Sequence, residues 1–371
     1  MSERIVIKEI CEVYDGPHAT PKKTVDGPVY LGIDAITDDG KINAKEFAHL
    51  SEEDYIKWTK RVTPQYGDIV FSYEATLGRY ALIPKDFYGC LGRRLAIIRN
   101  VSKDIDTLWL YYYFLSPEWK QFIQSKIIKG STVNRISVED FPTYTVPNIS
   151  IKVQRKIANI LSKIDEKIAL NNNINDNLEQ QIKTIFTFQF LQNANTEWKQ
   201  QSLAELSEMY QPKTISGKDL IADGNYFVYG ANGIIGKYNQ YNHSESEIAV
   251  ACRGASCGSI QMTLPFSWIT GNAMVVKPHS DFPYREYLYY YLLAKNPNYL
   301  CSGSAQPQLT RENLTLYSLK VPSPTELNAF ESYAEKVRKI IIKNQQENIE
   351  LSTLRDWLLP MLMNGQATIS N

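Results

Sequence analysis

The stretch Gly130-Ser131-Thr132-Val133-Asn134-Arg135-Ile136-Ser137-Val138-Glu139-Asp140-Phe141 is answered later in the chain by GSAQPQLTRENL at 303–314. Gly130 aligns with Gly303, Ser131 with Ser304, Ile136 with Leu309 and Phe141 with Leu314, all at one offset. That offset runs on into a helical pattern, pairing Ile164 with Val337, Asn171 with Asn344, Leu178 with Leu351 and Ile185 with Leu358. A register held so long without a gap marks internal duplication, which decides the fold before any motif does. Earlier segments match at larger offsets, so the first copy carries extra residues. Ile7-Lys8-Glu9-Ile10 answers to Leu203-Ala204-Glu205-Leu206, GDIVFSY at 67–73 to SEIAVAC at 246–252, and Tyr111-Tyr112-Tyr113 to Tyr289-Tyr290-Tyr291. The order is globule, helix, globule, helix.

Each globule has short β-rich runs, such as Ile69-Val70-Phe71 and Ala249-Val250-Ala251, broken by Gly, Pro, Asn and Asp turns. Each ends in an aromatic helix around 108–115 or 286–294. Pro147 and Pro322 mark the exits, with Pro324 just inside the second long helix, where proline is tolerated. The expected fold class is α+β with an internal pseudo-two-fold repeat. Two mixed α/β domains, 1–147 and 193–322, are separated by two long antiparallel helices, 148–192 and 323–371, that form a coiled coil.

The helices are read from spacing. Val153, Ile157, Ile160, Ile164, Ile168, Ile174, Leu178, Ile182 and Ile185 recur at helical steps, and Leu327, Phe330, Ala334, Val337, Ile341, Leu351, Leu354 and Leu358 repeat the pattern. Pairing is expected through Ile157, Ile164, Asn171 and Leu178 on one helix and Val337, Asn344, Leu351 and Leu358 on the other. A buried amide needs a partner and so fixes register, which puts Asn171 near Asn344 as a polar lock.

At 371 residues the chain holds about two or three domains. With 43% hydrophobic and 22% charged residues it is neither disordered nor membrane-embedded, and no apolar run approaches the ~18 residues of a membrane helix. The start MSERIVIKEI lacks the apolar core of a signal peptide, which points to the cytoplasm. Five scattered cysteines argue against a secreted disulfide framework. The one close pair, Cys252 and Cys257, lacks a second pair or histidine at zinc spacing and reads as small buried thiols. Forty basic residues balance forty acidic ones, which removes the whole-chain basic excess typical of nucleic-acid binders. Only local clustering can supply it.

Catalytic motifs fail on inspection. Asn296-Pro297-Asn298-Tyr299 approaches the Asn-Pro-Pro-aromatic signature that grips a target adenine, but Asn298 breaks it, and no glycine-rich turn for a methyl-donor nucleotide exists. Ala231-Asn232-Gly233-Ile234-Ile235-Gly236-Lys237-Tyr238 hints at a phosphate loop but lacks its first glycine and terminal Ser/Thr, and reads as a glycine-rich β-turn. The four histidines are dispersed, and Asp68 with Glu74 is too common a pairing to mark a nuclease. Neither catalytic residues nor a metal site is expected.

Gly16-Pro17-His18-Ala19-Thr20-Pro21-Lys22-Lys23, Val62-Thr63-Pro64 leading into Gly67-Asp68-Ile69-Val70-Phe71-Ser72-Tyr73-Glu74-Ala75-Thr76-Leu77-Gly78-Arg79, and Gly89-Cys90-Leu91-Gly92-Arg93-Arg94 resemble a target recognition domain of type I restriction-modification specificity subunits. Gly130-Ser131-Thr132-Val133 and Leu358-Leu359-Pro360-Met361-Leu362-Met363-Asn364-Gly365 look like that family too, and the duplicated layout extends the resemblance over essentially the whole chain. It implies a non-catalytic reader of double-stranded DNA. Each globule would bind one half of a split target, and the helices would act as a ruler across an unread spacer. They would also dock two copies of an adenine-N6 methyltransferase subunit, which an endonuclease/translocase subunit can join. S-adenosylmethionine, Mg and ATP are then expected only in those partners, where the target base leaves the stack. No membrane partner is implied, and apolar docking faces would drive self-association when the methyltransferase is missing. Two other classes fit the layout: a self-sufficient adenine methyltransferase, and a scaffold holding two sugar- or peptide-binding globules apart.

A neutral protein binds DNA if cations gather on one face, where phosphate contacts position the duplex and base-edge contacts specify it. In the first globule the candidates are Thr20, Lys22, Lys23, Glu74, Thr76, Arg79, Arg93, Arg94, Ser131, Thr132, Asn134 and Arg135. In the second they are Lys213, Asn232, Lys237, Arg253, Ser256, Asn272, Gln306, Gln308 and Arg311. Amides suit adenine and arginine suits guanine. About 34 helical residues span ~50 Å, roughly one and a half DNA turns at ~34–36 Å each.

Overall fold

A computed structural model describes residues 3–130, 133–303 and 307–367. The chain forms two compact units: Met1–Ile168 with Ile349–Asn371, and Ala169–Asn348.

In the first unit a four-stranded antiparallel sheet runs in the order Cys11–Asp15, Leu95–Asn100, Ile69–Ser72, Tyr80–Leu82. Its central strands are buried on both faces, and strand alternation splits them between two cores. Ile69, Phe71, Ala96 and Ile98 face the larger core with the aromatic helix Thr107–Leu115, whereas Val70, Leu95 and Ile97 face a smaller one. Asp106 caps that helix by accepting from the Trp109 amide at 3.0 Å. A second sheet joins Ala48–His49, Thr24–Leu31 and Gly89–Leu91, the last two parallel. Arg4–Val6 pairs antiparallel with Thr145–Pro147, so the chain leaves this globule beside the place it entered.

The second unit repeats the plan. Its antiparallel sheet runs Ser207–Tyr210, Ala273–Pro278, Ile248–Ala251, Ile260–Met262. Ile248, Val250, Met274 and Val276 face the core with helix Arg285–Ala294, while Ala249, Ala273 and Val275 face the other side. Gly233–Tyr238, Tyr226–Gly230 and Trp268–Ile269 form the three-stranded sheet, again with one parallel pair. Lys199–Ser202 with Ser318–Val321 closes the globule.

The central helix, Ile151–Phe186, continues into a π-helical turn at Thr187–Gln192. The carboxy-terminal helix, Pro324–Met363, starts with a capping box in which Ser323 and Glu326 satisfy each other's backbone amides. In the first unit the helices meet through Asp165, which accepts from Arg355 Nη1 at 2.8 Å and from the Tyr112 hydroxyl at 2.6 Å. In the second, Asn171 donates to Glu347 and Asn348 at 2.8 and 2.9 Å, and Asn344 donates to Asn175 at 2.8 Å. Partner numbers rise on one helix as they fall on the other, so the pairing is antiparallel.

The polar lock differs from the expected one: Asn171 and Asn344 each bond one turn away from the other. The seam at this level is made of amides at four-residue spacing, Asn171 and Asn175, both buried, while Ile174 is 37% exposed. Leu354 and Val153 also face outward. Ile157, Ile164 and Val337 are buried, Leu178 and Leu358 are half-buried against the second and first cores, and Leu351 is half-buried.

Tyr112–Asp165–Arg355 has a counterpart in Tyr290–Glu179–Arg338, where Tyr290 donates to Glu179 at 2.7 Å. Both acids lie on the central helix and both arginines on the carboxy-terminal one. The duplication aligns Asp165 with Arg338, so charge breaks the repeat and makes the two helices non-interchangeable.

Candidate nucleic-acid interface

In each unit one hydrogen-bonded frame gathers segments far apart in sequence. In the first, the Tyr73 amide donates to the Arg94 carbonyl at 3.1 Å and the Ile136 amide to the Tyr73 carbonyl at 2.8 Å. Glu74 and Ile128 both form antiparallel bridges with Arg135. In the second, the Cys252 amide donates to the Asn272 carbonyl and the Leu309 amide to the Cys252 carbonyl, both at 2.9 Å. Arg253 and Ser302 both bridge to Gln308. The backbone scheme is the same and the side chains are not: Glu74, Arg94 and Arg135 occupy the places of Arg253, Asn272 and Gln308.

Glycines let these segments close up. A Cβ on Gly92 would stand 2.4 Å from the Leu31 carbonyl oxygen, and one on Gly271 would stand 2.6 Å from Thr214 Oγ1, so neither admits a side chain. Each turn delivers a candidate reader directly after it, Arg93-Arg94 and Asn272. Arg94 adopts φ 74°, a left-handed conformation costing about 1–2 kcal/mol in a non-glycine residue. Its Nε lies 3.3 Å from Glu74. The bonding scheme is shared by the two copies, but the left-handed backbone occurs at Arg94 and not at Asn272.

Thr20, Lys22, Lys23, Arg93, Asn134, Arg135, Lys213, Asn232, Arg253, Asn272, Gln308 and Arg311 are exposed, and Glu74, Thr76, Arg94, Lys237 and Ser256 half-buried. Among the described residues, the exposed cations of this set make no ion pair. Arg79 is engaged elsewhere: its Nε and Nη2 hold Asp38 at 2.6 and 3.2 Å and its Nη1 the Ile36 carbonyl at 3.1 Å. Lys237 lies 5.6 Å over the Phe227 ring. Ser131, Thr132 and Gln306 lie outside the described residues.

Sequence reading missed the groups that hold these turns. The Tyr30 hydroxyl accepts from the Arg93 amide at 3.1 Å, and Thr214 Oγ1 accepts from the Gly271 amide at 3.2 Å. Trp58 Nε1 donates to the Ala19 carbonyl at 3.4 Å, and Trp268 Nε1 to Lys213's at 3.1 Å, anchoring the loop after the first sheet strand in both units. Nothing local in the sequence announces partners tens of residues apart.

Burial pushes the pKa of the Tyr73 hydroxyl up, as does the nearby Asp15, and burial likewise raises the Cys252 thiol. Both frame residues therefore stay neutral at physiological pH. Cys257 is not a free thiol beside Cys252 but is bonded to Cys301. Cys11, Cys90 and Cys252 are free and buried. Among the described residues no group of three or more His, Cys, Asp or Glu side chains could hold a metal ion, and no helix is long and apolar enough to cross a membrane.

Two copies of one frame, each presenting a different polar set on loops around a rigid sheet, define a tandem recognition protein. The family model of the type I restriction modification DNA specificity domain matches residues 2–180 and 195–352, once for each copy. The chain belongs to that family, as a specificity subunit of a type I restriction-modification system. It is 26% identical over 277 residues to the EcoprrI type I restriction enzyme specificity subunit of Escherichia coli, covering 69% of this chain and 67% of that one. It is 21% identical over 359 residues to the MjaIX specificity subunit of Methanocaldococcus jannaschii, covering 86% and 82%. The fold matches the crystal structure of a type I system S subunit from M. genitalium, with a TM-score of 0.63 and 16% identity over 99% of this chain and 96% of that one.

Proposed function

We propose that this chain is the non-catalytic DNA reader of a cytoplasmic restriction-modification enzyme, each globule reading one half of a bipartite target. The duplicated frame carries the reading. One backbone scheme holds Glu74, Arg94 and Arg135 in one copy and Arg253, Asn272 and Gln308 in the other, as expected of two heads that approach DNA alike and read different bases. Exposed cations on the loops of each unit, Lys22, Lys23, Arg93 and Arg135, then Lys213, Arg253 and Arg311, supply the phosphate contacts. Arg79 stiffens its loop through Asp38 rather than meeting the duplex.

The domains 1–147 and 193–322 are the heads, and the helices 148–192 and 323–371 set the unread spacer. Exposed apolar side chains on the helices, including Val153, Leu170, Ile174, Leu354 and Trp357, suit docking of two methyltransferase subunits. S-adenosylmethionine, Mg and ATP belong to those subunits and to an endonuclease partner.

Salt titration of duplex binding tests this reading. If all seven cations meet phosphate, log affinity falls with log salt at a slope of about −6, from ~0.9 per contact. Co-purification with an adenine methyltransferase is the accompanying expectation. Salt-independent binding, or no methyltransferase partner, contradicts the proposal.

A further inference from the structure

The second frame has a covalent link for which the first has only packing. The Gly78 amide donates to the Ser72 carbonyl and the Gly258 amide to the Ala251 carbonyl, both at 2.9 Å, so Cys257 stands where Leu77 stands. The bridges Ile128–Arg135 and Ser302–Gln308 put Cys301 where Ile127 stands. Leu77 and Ile127 are half-buried against the first core, Cys257 and Cys301 against the second. The Cys257–Cys301 bond thus joins the loop bearing Arg253 and Ser256 to the segment leading to Gln308.

We infer that this disulfide is a reversible fastening that sets how firmly the second unit's loop is held, and so tunes reading of the second half-site while leaving the first untouched. The second clause rests on the reading of that loop as a DNA contact. Both cysteines are half-buried rather than sealed in the core, and in a reducing compartment such a bond is transient and regulatory rather than permanent. Reduction breaks the Sγ–Sγ bond with two electrons and two protons from a dithiol, which becomes a cyclic disulfide; a disulfide oxidant reverses it by exchange. The neighbouring Cys252 thiol is fully buried and kept protonated, which keeps it out of that exchange.

The test uses the full chain, oxidised with glutathione disulfide or reduced with dithiothreitol. Alkylation under denaturing conditions should count three thiols in the oxidised form and five in the reduced. Amide exchange across 252–258 and at Gln308 and Leu309 should slow about tenfold on oxidation, while 73–79 and 133–136 stay unchanged. Discrimination between second half-site variants should sharpen with it. A C257L/C301I variant, copying the first unit, should ignore dithiothreitol. Five thiols after oxidation, or exchange rates indifferent to redox state, overturn the fastening. If exchange responds but binding never depends on the second half-site sequence, the fastening stands and the DNA reading of the loop falls.

Discussion

Arg338→Met probes the most deeply buried charge cluster. The Arg338 side chain is 6% exposed and Glu286 fully buried. Arg338 Nε and Nη2 contact the Glu286 carboxylate at 3.1–3.3 Å, Nη1 pairs with Glu179, Nη2 donates to the Tyr290 hydroxyl, and the guanidinium lies 4.9 Å over the Tyr289 ring. Methionine fills similar volume but removes the hydrogen-bonded cation of the Glu286 carboxylate, leaving only Arg285 Nε at 4.0 Å. Breaking a buried pair from one side costs about 3–5 kcal/mol, roughly 10–15 °C for a unit of this size. Replacing both partners, Arg338→Met with Glu286→Leu, should recover most of that loss, because a buried pair barely outperforms apolar isosteres. Desolvation raises the Glu286 pKa above its ordinary range. Within the interval between unfolded and folded pKa the folded state holds the extra proton, so acidification from pH 7 to 5 should rescue the single variant more than the double, in which only the pH response of Glu331 remains. Calorimetry with amide exchange across Arg285–Ala294 measures both. A single variant within about 1 kcal/mol of the parent, or a double variant weaker than the single, would refute the reasoning.

Glu331 accepts from the Glu286 and Tyr287 amides at 2.8 and 3.1 Å, yet burial pushes its pKa up to about 7. Its folded pKa exceeds its unfolded one, so stability present below pH ~4.5 should drain away as pH rises toward 7; denaturant titrations of Glu331→Gln across pH 5–8 should lack that slope. Asn175→Leu leaves the half-buried Asn344 amide without its acceptor and Asn344→Leu leaves the Asn175 Oδ1 without its donor; each should cost about 1–3 kcal/mol, with the double substitution costing less than the sum in a urea cycle. Deleting the matched heptads 172–178 and 342–348 removes about 10 Å of each helix. The spacer preferred in methylation assays should shorten by about three base pairs at ~3.4 Å each; an unchanged spacer contradicts the ruler.

The helices and the duplication were legible because both leave periodic traces: apolar steps at Ile157, Ile164, Val337 and Leu358, and the constant offset from Gly130 to Gly303. Apolarity misled in mid-helix, where Asn171 and Asn175 take the seam and Ile174 faces outward. Candidate readers were named from loop chemistry, but their grouping into a frame was hidden. That grouping depends on backbone pairs such as Tyr73 with Arg94 and Cys252 with Asn272, made by sheet topology rather than local pattern. The commitment of Arg79 to Asp38 was equally invisible, since a surface arginine looks the same in sequence whether paired or free. Cysteine spacing drew attention to Cys252 and Cys257, whereas the bonded partner of Cys257 is Cys301, brought near by the Ser302–Gln308 bridge.

The most direct measurement of the central claim is adenine methylation by the assembled enzyme on duplexes in which each half-site is varied separately, comparing Arg94→Ala with Gln308→Ala. Each substitution should alter discrimination at one half only, Arg94 at the half read by the first unit and Gln308 at the other, by about 1–3 kcal/mol for a base contact. Equal losses at both halves from either substitution would contradict two independent reading heads.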